Sequence, residues 1–591
     1  MAEAPFRKLL VANRGEIAVR VMRSARELGI KTVAVYSEVD RDARHVALAD
    51  EAYLLGPAPP AQSYLNRDKI LDIAKRAGAD AIHPGYGFFA ENAAFAQAVI
   101  DAGMTWIGPT PAAIDAMGDK VRARQAMVNV GVPVVPGGIE PILDGAGARE
   151  AAARYGLPLA LKASGGGGGK GLKVARTLDE VESAFTTAKR EALAYFNNGT
   201  IYAERYLDNP KHIELQILAD KHGNVVHIGE RDCSLQRRHQ KVWEEAPALI
   251  SDHVRDGLRA AGIAAARAIA YDSVGTIECL VLENEFFFLE MNTRIQVEHT
   301  VSEMISGIDL VREQILVAAG RPLAFTQSDV VFRGHSIEVR VNAEDPARDF
   351  RPAPGTITAY REPAGFGVRV DSAASPGITI TPDYDSMIAK LIVWGRTRDE
   401  SLERLRRAID EYVVEGVPTT LPLLRELADY GPVLDAHYGT ATLEPFAASR
   451  GGVPTNGHVP SAEPAVPAPS ETFRVEVNDK LFRVRFIDLP VGSAPSRAAA
   501  PKAVAKGGTR KVQAPQGNDV VSPMHGVVVE VSVKAGAVVA EGQVIAVIEA
   551  MKMMNEVRAH KAGTVESVHV AAGATLEARA PIVTLAPPPA P

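Results

Sequence analysis

The chain has 591 residues and a formal net charge of −7, with 46% hydrophobic and 23% charged residues. That length accommodates three to five domains of ordinary globular composition. The acidic balance excludes the basic footprint of a nucleic-acid binder, and no apolar run approaches the ~20 residues that span a membrane. The first residues lack a signal peptide's apolar stretch. Two cysteines, Cys233 and Cys279, are too few for a disulfide framework or zinc knuckle. A cytoplasmic location is therefore expected.

In chain order, residues 8–12 predict a buried strand, residues 16–28 a helix and residues 32–36 a second strand. This βαβ opening predicts a doubly wound sheet, and the absence of Gly-x-Gly-x-x-Gly argues against a dinucleotide site. Residues 116–330 mix strands and helices around a glycine loop. There Leu161-Lys162-Ala163-Ser164 is followed by five glycines, Gly165 to Gly169, then Lys170-Gly171. Consecutive glycines tolerate positive φ and a close ligand, and their N–H groups can line a nest for phosphate oxygens. It is not a Walker loop, which needs Gly-Lys-Ser/Thr opening a helix. A flexible linker is the plain alternative, but strand-like Leu172-Lys173-Val174-Ala175 resumes at once.

Residues 276–280 and 288–292 read as strands that bring Glu278, Glu290 and Asn292 together. Such oxygen donors suit a Mg²⁺ that also holds substrate phosphates. Glu290 and Asn292 share a strand face. The alternative is a surface hairpin with scattered acids. An acid ending Phe286-Phe287-Phe288-Leu289-Glu290 argues against it, because a buried unpaired carboxylate is costly. Arg294, Gln296 and Glu298 then recur at period two, so one face would carry a cation, an amide and a carboxylate. The basic run from Gln236 to Lys241 has a use if the substrates are ATP and a second anion. Its alternative is a solvated turn. Residues 331–445 carry strands such as 336–340 and a helix at 398–413.

Two Pro/Ala-rich stretches, roughly residues 451–470 and 491–517, read as semi-extended linkers. Between them residues 472–487 alternate around Asn478-Asp479, a hairpin that alone would be marginal and is expected to dock elsewhere. Residues 526–536 and 563–573 then repeat one another, each an alternating strand ending in a Gly turn. Two such halves predict a small flattened barrel, with Lys552 of Glu549-Ala550-Met551-Lys552-Met553 at a hairpin tip near the midpoint. An ordinary exposed lysine is the bland alternative; the repeat and the flanking methionines argue against it.

These stretches together resemble the α subunit of acyl-CoA carboxylases, in which a biotin carboxylase and its biotin carrier share one polypeptide. The marks are Ala12-Asn13-Arg14-Gly15-Glu16-Ile17-Ala18, His83-Pro84-Gly85-Tyr86-Gly87-Phe88, the Gly165 to Gly171 loop, Glu230-Arg231-Asp232-Cys233-Ser234, the run Glu290-Met291-Asn292-Thr293-Arg294-Ile295-Gln296-Val297-Glu298-His299, and the sequence around Lys552. The resemblance implies an α/β biotin carboxylase with an ATP-grasp centre, followed by an all-β biotinyl domain. The divisions would be 1–115, 116–330, 331–450, linkers with the docking hairpin over 451–517, and the carrier at 518–587.

It also implies roles. Lys120, Lys162 and the loop glycines Gly166, Gly167 and Gly168 would contact ATP phosphates. Glu204 to Leu207 would line the adenine pocket, with His212, Gln236 and His239 on the nucleotide. Glu278, Glu290 and Asn292 would surround Mg²⁺ or Mn²⁺. Lys241, Arg294, Gln296 and Val297 would hold bicarbonate, and Glu298 would deprotonate it. Arg340 would steady the biotin enolate, Tyr86 would line the biotin pocket, and Lys552 would carry the biotin. Phe89-Ala90, Arg205 and Trp243 depart from the commoner family pattern without removing a catalytic group. The implied partners are a biotin protein ligase and a separate carboxyltransferase β subunit, in several copies of each subunit, since residues 450–591 leave no room for a second large catalytic domain. The rivals are the α-type subunit of a pyruvate or urea carboxylase, a lipoyl carrier, and a regulatory protein with a degenerate ATP site. Lipoyl sites typically read Asp-Lys-Ala, unlike Met551-Lys552-Met553, and the set Lys120, Lys162, Glu278, Glu290, Glu298 and Arg340 speaks against degeneracy. The acyl-CoA itself is left open.

Overall fold

The computed structural model describes residues 4–138, 140–163, 172–196, 198–237, 240–348, 350–449, 472–477, 480–485, 518–523, 526–550, 553–577 and 579–586. The chain forms two compact units: a large one reaching to residue 457, apart from residues 381–386, and a small C-terminal one.

The large unit opens with β1 (Lys8–Val11), α1 (Gly15–Glu27), β2 (Lys31–Ser37), β3 (Glu51–Gly56), β4 (Ala81–His83) and β5 (Thr105–Trp106). These strands run parallel in the order β3-β2-β1-β4-β5. Leu9, Leu10 and Val11 are fully buried, as expected for apolar strands covered on both faces. The doubly wound expectation holds. The turn after β4 is fixed by Asn13, whose Nδ2 donates to the carbonyls of Pro84 at 2.6 Å and Tyr86 at 2.7 Å. Gly85 has a φ of 64° there, and a Cβ on it would lie 2.9 Å from Asn13 Nδ2, so only glycine fits.

A three-stranded antiparallel sheet follows, built from β6 (Leu159–Ala163), β7 (Leu172–Ala175) and β8 (Ile201–Arg205) in the order β7-β6-β8. Helices Gly145–Tyr155 and Val181–Phe196 cover it through Ala148, Ala152, Phe185 and Ala188. The glycines between β6 and β7 lie outside the described residues.

The largest element is an eight-stranded antiparallel sheet. It contains β9 (Lys211–Ala219), β10 (Val225–Arg237), β11 (Gln240–Ala246), β12 (Val274–Leu282), β13 (Glu285–Asn292) and β14 (His335–Asn342), with strands Met387–Gly395 and Val368–Ser372 beyond β14. The order is β13-β12-β9-β10-β11-β14 and then those two. Ile213, Leu215, Ile217, Ile277 and Cys279 pack into one apolar core with Val254 and Leu258 of helix Asp252–Ala268. Alternation sends Glu214, Gln216 and Glu278 to the opposite face, and these too are buried. Polar alternation here marks an interior polar site, not a solvent face.

One expectation is corrected. Arg294, Gln296 and Glu298 do not form a strand face: β13 ends at Asn292, the chain bends, and Glu298 is the N-cap position of helix His299–Ser306. Their period-two spacing is that of a turn into a helix.

Strands Thr472–Val477 and Lys480–Arg485 pair as the expected hairpin, Phe473 opposite Val484. The small unit has two four-stranded sheets. One has the order Asp519–Val521, Pro581–Ala586, Gly563–Val568, Val538–Val539, and the other Met553–Arg558, Val544–Ala550, Gly526–Val531, Thr575–Leu576. Val528, Ile545, Ile548, Val565, Ile582 and Leu585 fill the space between them. The repeat halves supply equivalent central strands. Ala550 pairs with Met553, and Lys552 lies outside the described residues. Among the described residues no helix is long and apolar enough to cross a membrane.

Candidate active site

The polar face of the large sheet gathers charges from five strands and one helix start. Lys241 of β11 sits at the centre. Its Nζ donates to Glu298 Oε1 at 2.7 Å and Glu278 Oε1 at 3.3 Å, and also pairs with Glu214. Burial alone would lower the Lys241 pKa, but Glu214, Glu278 and Glu298 push it well above the usual lysine value. It stays an ammonium.

Glu298 is 2% exposed and shared between two cations. Besides Lys241, Arg340 of β14 donates to its Oε2 at 3.1 Å, while the Arg340 Nε donates to Glu244 Oε1 at 2.7 Å. Burial would raise the Glu298 pKa; Lys241, Arg340 and Arg231 reverse this and hold it well below the carboxylate range. Glu244 goes the other way: burial outweighs Arg340, and its pKa is pushed up to about 7.

Glu278 Oε1 accepts from Asn292 Nδ2 and Gln296 Nε2, both at 2.7 Å, and Glu278 Oε2 meets His212 Nε2 at 2.9 Å. Burial opposes its ionisation, but Lys241 and His212 keep it ionised. Glu290 stands opposite Glu278 in the β12–β13 ladder, so the three predicted oxygen donors occupy one end of the sheet. A cavity of about 200 Å³ opens there, lined by Glu91, Met117, Gly118, Glu290, Asn292 and Thr293.

Arg294 leaves the cluster's centre. Its Nε donates to Glu91 Oε2 at 2.9 Å and its Nη2 to Asn292 Oδ1 at 2.7 Å. Gln296 faces inward, held by Arg231 at 2.5 Å. Gln236 Nε2 lies 3.4 Å from His212 Nδ1, joining two predicted nucleotide contacts. Lys162 pairs with Glu204 across the β6–β8 ladder, and Leu207 is buried with Val135 and Phe287. Lys120 opens helix Lys120–Asn129. The Tyr86 hydroxyl donates to Glu16. Gly166, Gly167, Gly168 and His239 lie outside the described residues.

Several central residues were not singled out from the sequence. Arg231 is fully buried and donates to Glu214 Oε2, Gln216 Oε1, Ser302 Oγ, Thr276 Oγ1 and Gln296 Oε1 at 2.5 to 3.2 Å. Glu214, Glu244 and Lys390 are equally buried. For Glu214 and Lys390 the signal is a lone charge between apolar neighbours, as in Ile388-Ala389-Lys390-Leu391-Ile392, which implies an interior partner; Arg231 and Glu244 have charged neighbours and carry no such signal.

The arrangement combines a fixed cation pair, an ionised carboxylate between them, and an acidic end able to hold a divalent ion. Four family models match the chain: the biotin carboxylase N-terminal domain over residues 5–114, the carbamoyl-phosphate synthase L chain ATP-binding domain over 119–326, the biotin carboxylase C-terminal domain over 338–445, and the biotin-requiring enzyme domain over 518–585. The middle of the chain is thus an ATP-binding domain of the carbamoyl-phosphate synthase type, set within a ligase.

The chain is similar to the Biotin-dependent acyl-coenzyme A carboxylase alpha3 subunit of Mycobacterium leprae, 44% identical over 97% of this chain and 98% of that one. It is also similar to a pyruvate carboxylase subunit of Methanothermobacter thermautotrophicus, 51% identical over 71% of this chain and 85% of that one. Among solved structures, it resembles the biotin carboxylase domain dimer of Hydrogenobacter thermophilus 2-oxoglutarate carboxylase in complex with MgADP, ADP and bicarbonate. That likeness has a TM-score of 0.69 and 48% identity, over 75% of this chain and 98% of that one. The chain belongs to the biotin carboxylase family of ligases, with a biotin carrier domain fused behind the carboxylase.

Proposed function

We propose that the chain is the α subunit of an acyl-CoA carboxylase, catalysing ATP + bicarbonate + biotinyl-Lys552 → ADP + phosphate + carboxybiotinyl-Lys552, with a separate carboxyltransferase as partner. The observation that carries the first half-reaction is the Lys241–Glu298–Arg340 cluster beside the Glu278 and Asn292 pair. Bicarbonate would draw Lys241 away from Glu298 and take Arg294 as its second cation, with Gln296 and the Val297 peptide as polar contacts. With the Lys241 contact drawn away, Glu298 regains basicity and would lie within reach of the bicarbonate proton, as a general base requires. The resulting dianion attacks the γ-phosphate, the bond to the β–γ bridging oxygen breaks and ADP leaves, giving carboxyphosphate, whose charge must be clamped by fixed cations; its carboxyl group then passes to the biotin nitrogen as phosphate leaves and takes up the nitrogen's proton. Glu278, Glu290 and Asn292 offer hard oxygen donors that fit Mg²⁺, which would neutralise phosphate charge when bound. Lys120, Lys162 and the glycine loop would hold the phosphates. Glu204 to Leu207 with His212, Gln236 and His239 would hold the rest of the nucleotide. Arg340 keeps its charge against burial through Glu244 and Glu298, and its planar fork suits an oxyanion of biotin, whose pocket Tyr86 would line.

Support for an acyl-CoA acceptor comes from the Mycobacterium leprae protein, which matches this chain nearly end to end, carboxylase and carrier together. The reading extends to a cytoplasmic hetero-oligomer, to a biotin protein ligase acting on Lys552, and to the 472–487 hairpin as a partner contact. An α-type pyruvate or urea carboxylase component is the second reading; its pyruvate form is supported by the likeness to a pyruvate carboxylase subunit over 71% of this chain. The test has two stages. The full biotinylated chain should cleave ATP only when bicarbonate is present. Supplemented with the co-purifying carboxyltransferase, it is then assayed against acetyl-CoA, propionyl-CoA, a long-chain acyl-CoA and pyruvate. Turnover of pyruvate alone would overturn the acyl-CoA reading.

A further inference from the structure

Lys390 is fully buried in the apolar strand Met387–Gly395. It stands directly opposite Arg340 in one ladder and Asp371 in the next. A buried ammonium set beside a half-buried guanidinium is unfavourable unless it has fixed partners. Asp371 is already taken up by Arg369, through bonds of 3.0 and 2.6 Å. Lys390 lies 3.9 Å from Asp371 and 3.4 Å from Glu16. Among the described residues its closest hydrogen bond points elsewhere, to the carbonyl oxygen of Val297 at 2.8 Å. That carbonyl belongs to the irregular turn between Asn292 and helix His299–Ser306, immediately before Glu298. Glu16, on the other side of Lys390, accepts from the Tyr86 hydroxyl.

We propose that Lys390 is a positioning residue for the bicarbonate end of the site, acting through the Val297 carbonyl to fix the turn that aims Gln296 and Glu298. This rests on the bicarbonate reading given above. The turn has no strand ladder to fix it, and a charged donor bonds a carbonyl about twice as strongly as a neutral one. The chain Tyr86–Glu16–Lys390–Val297 further joins the proposed biotin pocket to the proposed base through buried polar contacts. A disturbance at Lys390 should therefore be felt by bicarbonate and not by ATP.

The test is the double variant Glu16→Gln/Lys390→Met in the full biotinylated chain. It removes both charges together, leaves Asp371 paired with Arg369, and leaves Glu338, the other buried carboxyl group facing Lys390, its hydrogen bond from the Thr300 hydroxyl. Thermal unfolding establishes that it folds. Steady-state ATP cleavage is then measured while ATP and bicarbonate are varied separately. The expected result is an apparent KM for bicarbonate raised tenfold or more with a lower kcat, and a KM for ATP within about twofold of wild type. A bicarbonate KM and kcat within twofold of wild type in the folded variant would overturn the proposal, as would equal losses toward both substrates. Glu16→Gln/Lys390→Leu is read by the same criterion if the methionine variant does not fold. Failure of both to fold counts against the proposal, because it leaves the lysine a purely structural role. A wild-type chain without bicarbonate-dependent ATP cleavage would instead defeat the functional reading beneath it.

Discussion

Replacing Glu298 by glutamine tests the centre of the mechanism with little change of shape. The glutamine keeps one acceptor oxygen but cannot take a proton. Neither cation is stranded, since Lys241 keeps Glu214 and Glu278 and Arg340 keeps Glu244. The stability loss should therefore fall short of the ~3–5 kcal/mol seen when a buried pair loses one member outright. Loss of a general base typically lowers a rate by ~10²–10⁴. At about 1.4 kcal/mol per decade, that is about 3–5 kcal/mol of lost transition-state stabilisation. Nucleotide affinity should change little, because the described contacts of Glu298 are Lys241 and Arg340 and not the Lys162–Glu204 region. The assay pairs ATP titration of the resting chain with bicarbonate-dependent ATP cleavage and carboxylation of free biotin. A variant with wild-type ATP binding and turnover within threefold would refute the assignment of Glu298 as base.

Other outcomes follow from the same geometry. Glu290→Gln should raise the Mg²⁺ concentration needed for half-maximal turnover and slow the reaction; an unchanged Mg²⁺ dependence would leave Glu290 a structural role. Asp40 is buried, yet a two-bond contact with Arg14 and the Tyr64 hydroxyl lower its pKa from 3.8 to about 2. A depressed carboxylate stabilises the fold above its unfolded pKa and loses that contribution as pH falls through the folded one, so about 2 kcal/mol should vanish between about pH 4 and pH 2. Urea unfolding of wild type and Asp40→Asn across that window should show the stability gap closing; parallel curves would refute it. Lys552→Arg should abolish the single biotinyl adduct seen by intact mass after co-expression with a biotin ligase, and an adduct persisting on another lysine would sink the assignment.

The opening βαβ unit and the two-halved carrier were readable because their patterns are local. An apolar run covered on both faces, or an alternating strand ending in a Gly turn, states its own environment. The charged centre was readable only in part. Glu278 and Asn292 announced themselves by alternation on neighbouring strands. Glu214 and Arg231 sit in strands that look half-exposed by pattern, because the sequence does not say that a second layer covers the polar face, and Lys390 sits in an apolar strand whose sequence does not name its partner. Their partners are also distant in sequence: the Val297 carbonyl is 93 residues from Lys390. The segment from Arg294 to Glu298 misled for the opposite reason. A bend followed by a helix start can place side chains at the same spacing as a strand, and the period alone does not separate the two.

The β11–β14 ladder, in which Trp243 lies opposite Val339 and Glu244 opposite Glu338, bears on how this chain can be cut. It stitches the matched ATP-binding segment to the matched C-terminal segment inside one sheet. A truncation near residue 330 would strip β11 of its neighbour and lay open a long row of backbone donors and acceptors, which invites pairing with other chains. It would also take away Arg340 and Lys390, so the fragment would be both sticky and chemically incomplete. Segments that can be told apart by likeness are here not separable as parts. Shuffling carboxylases between systems therefore has to exchange the whole assembly from residue 5 to about residue 445, while the carrier, with its own apolar interior, is the piece that lends itself to exchange.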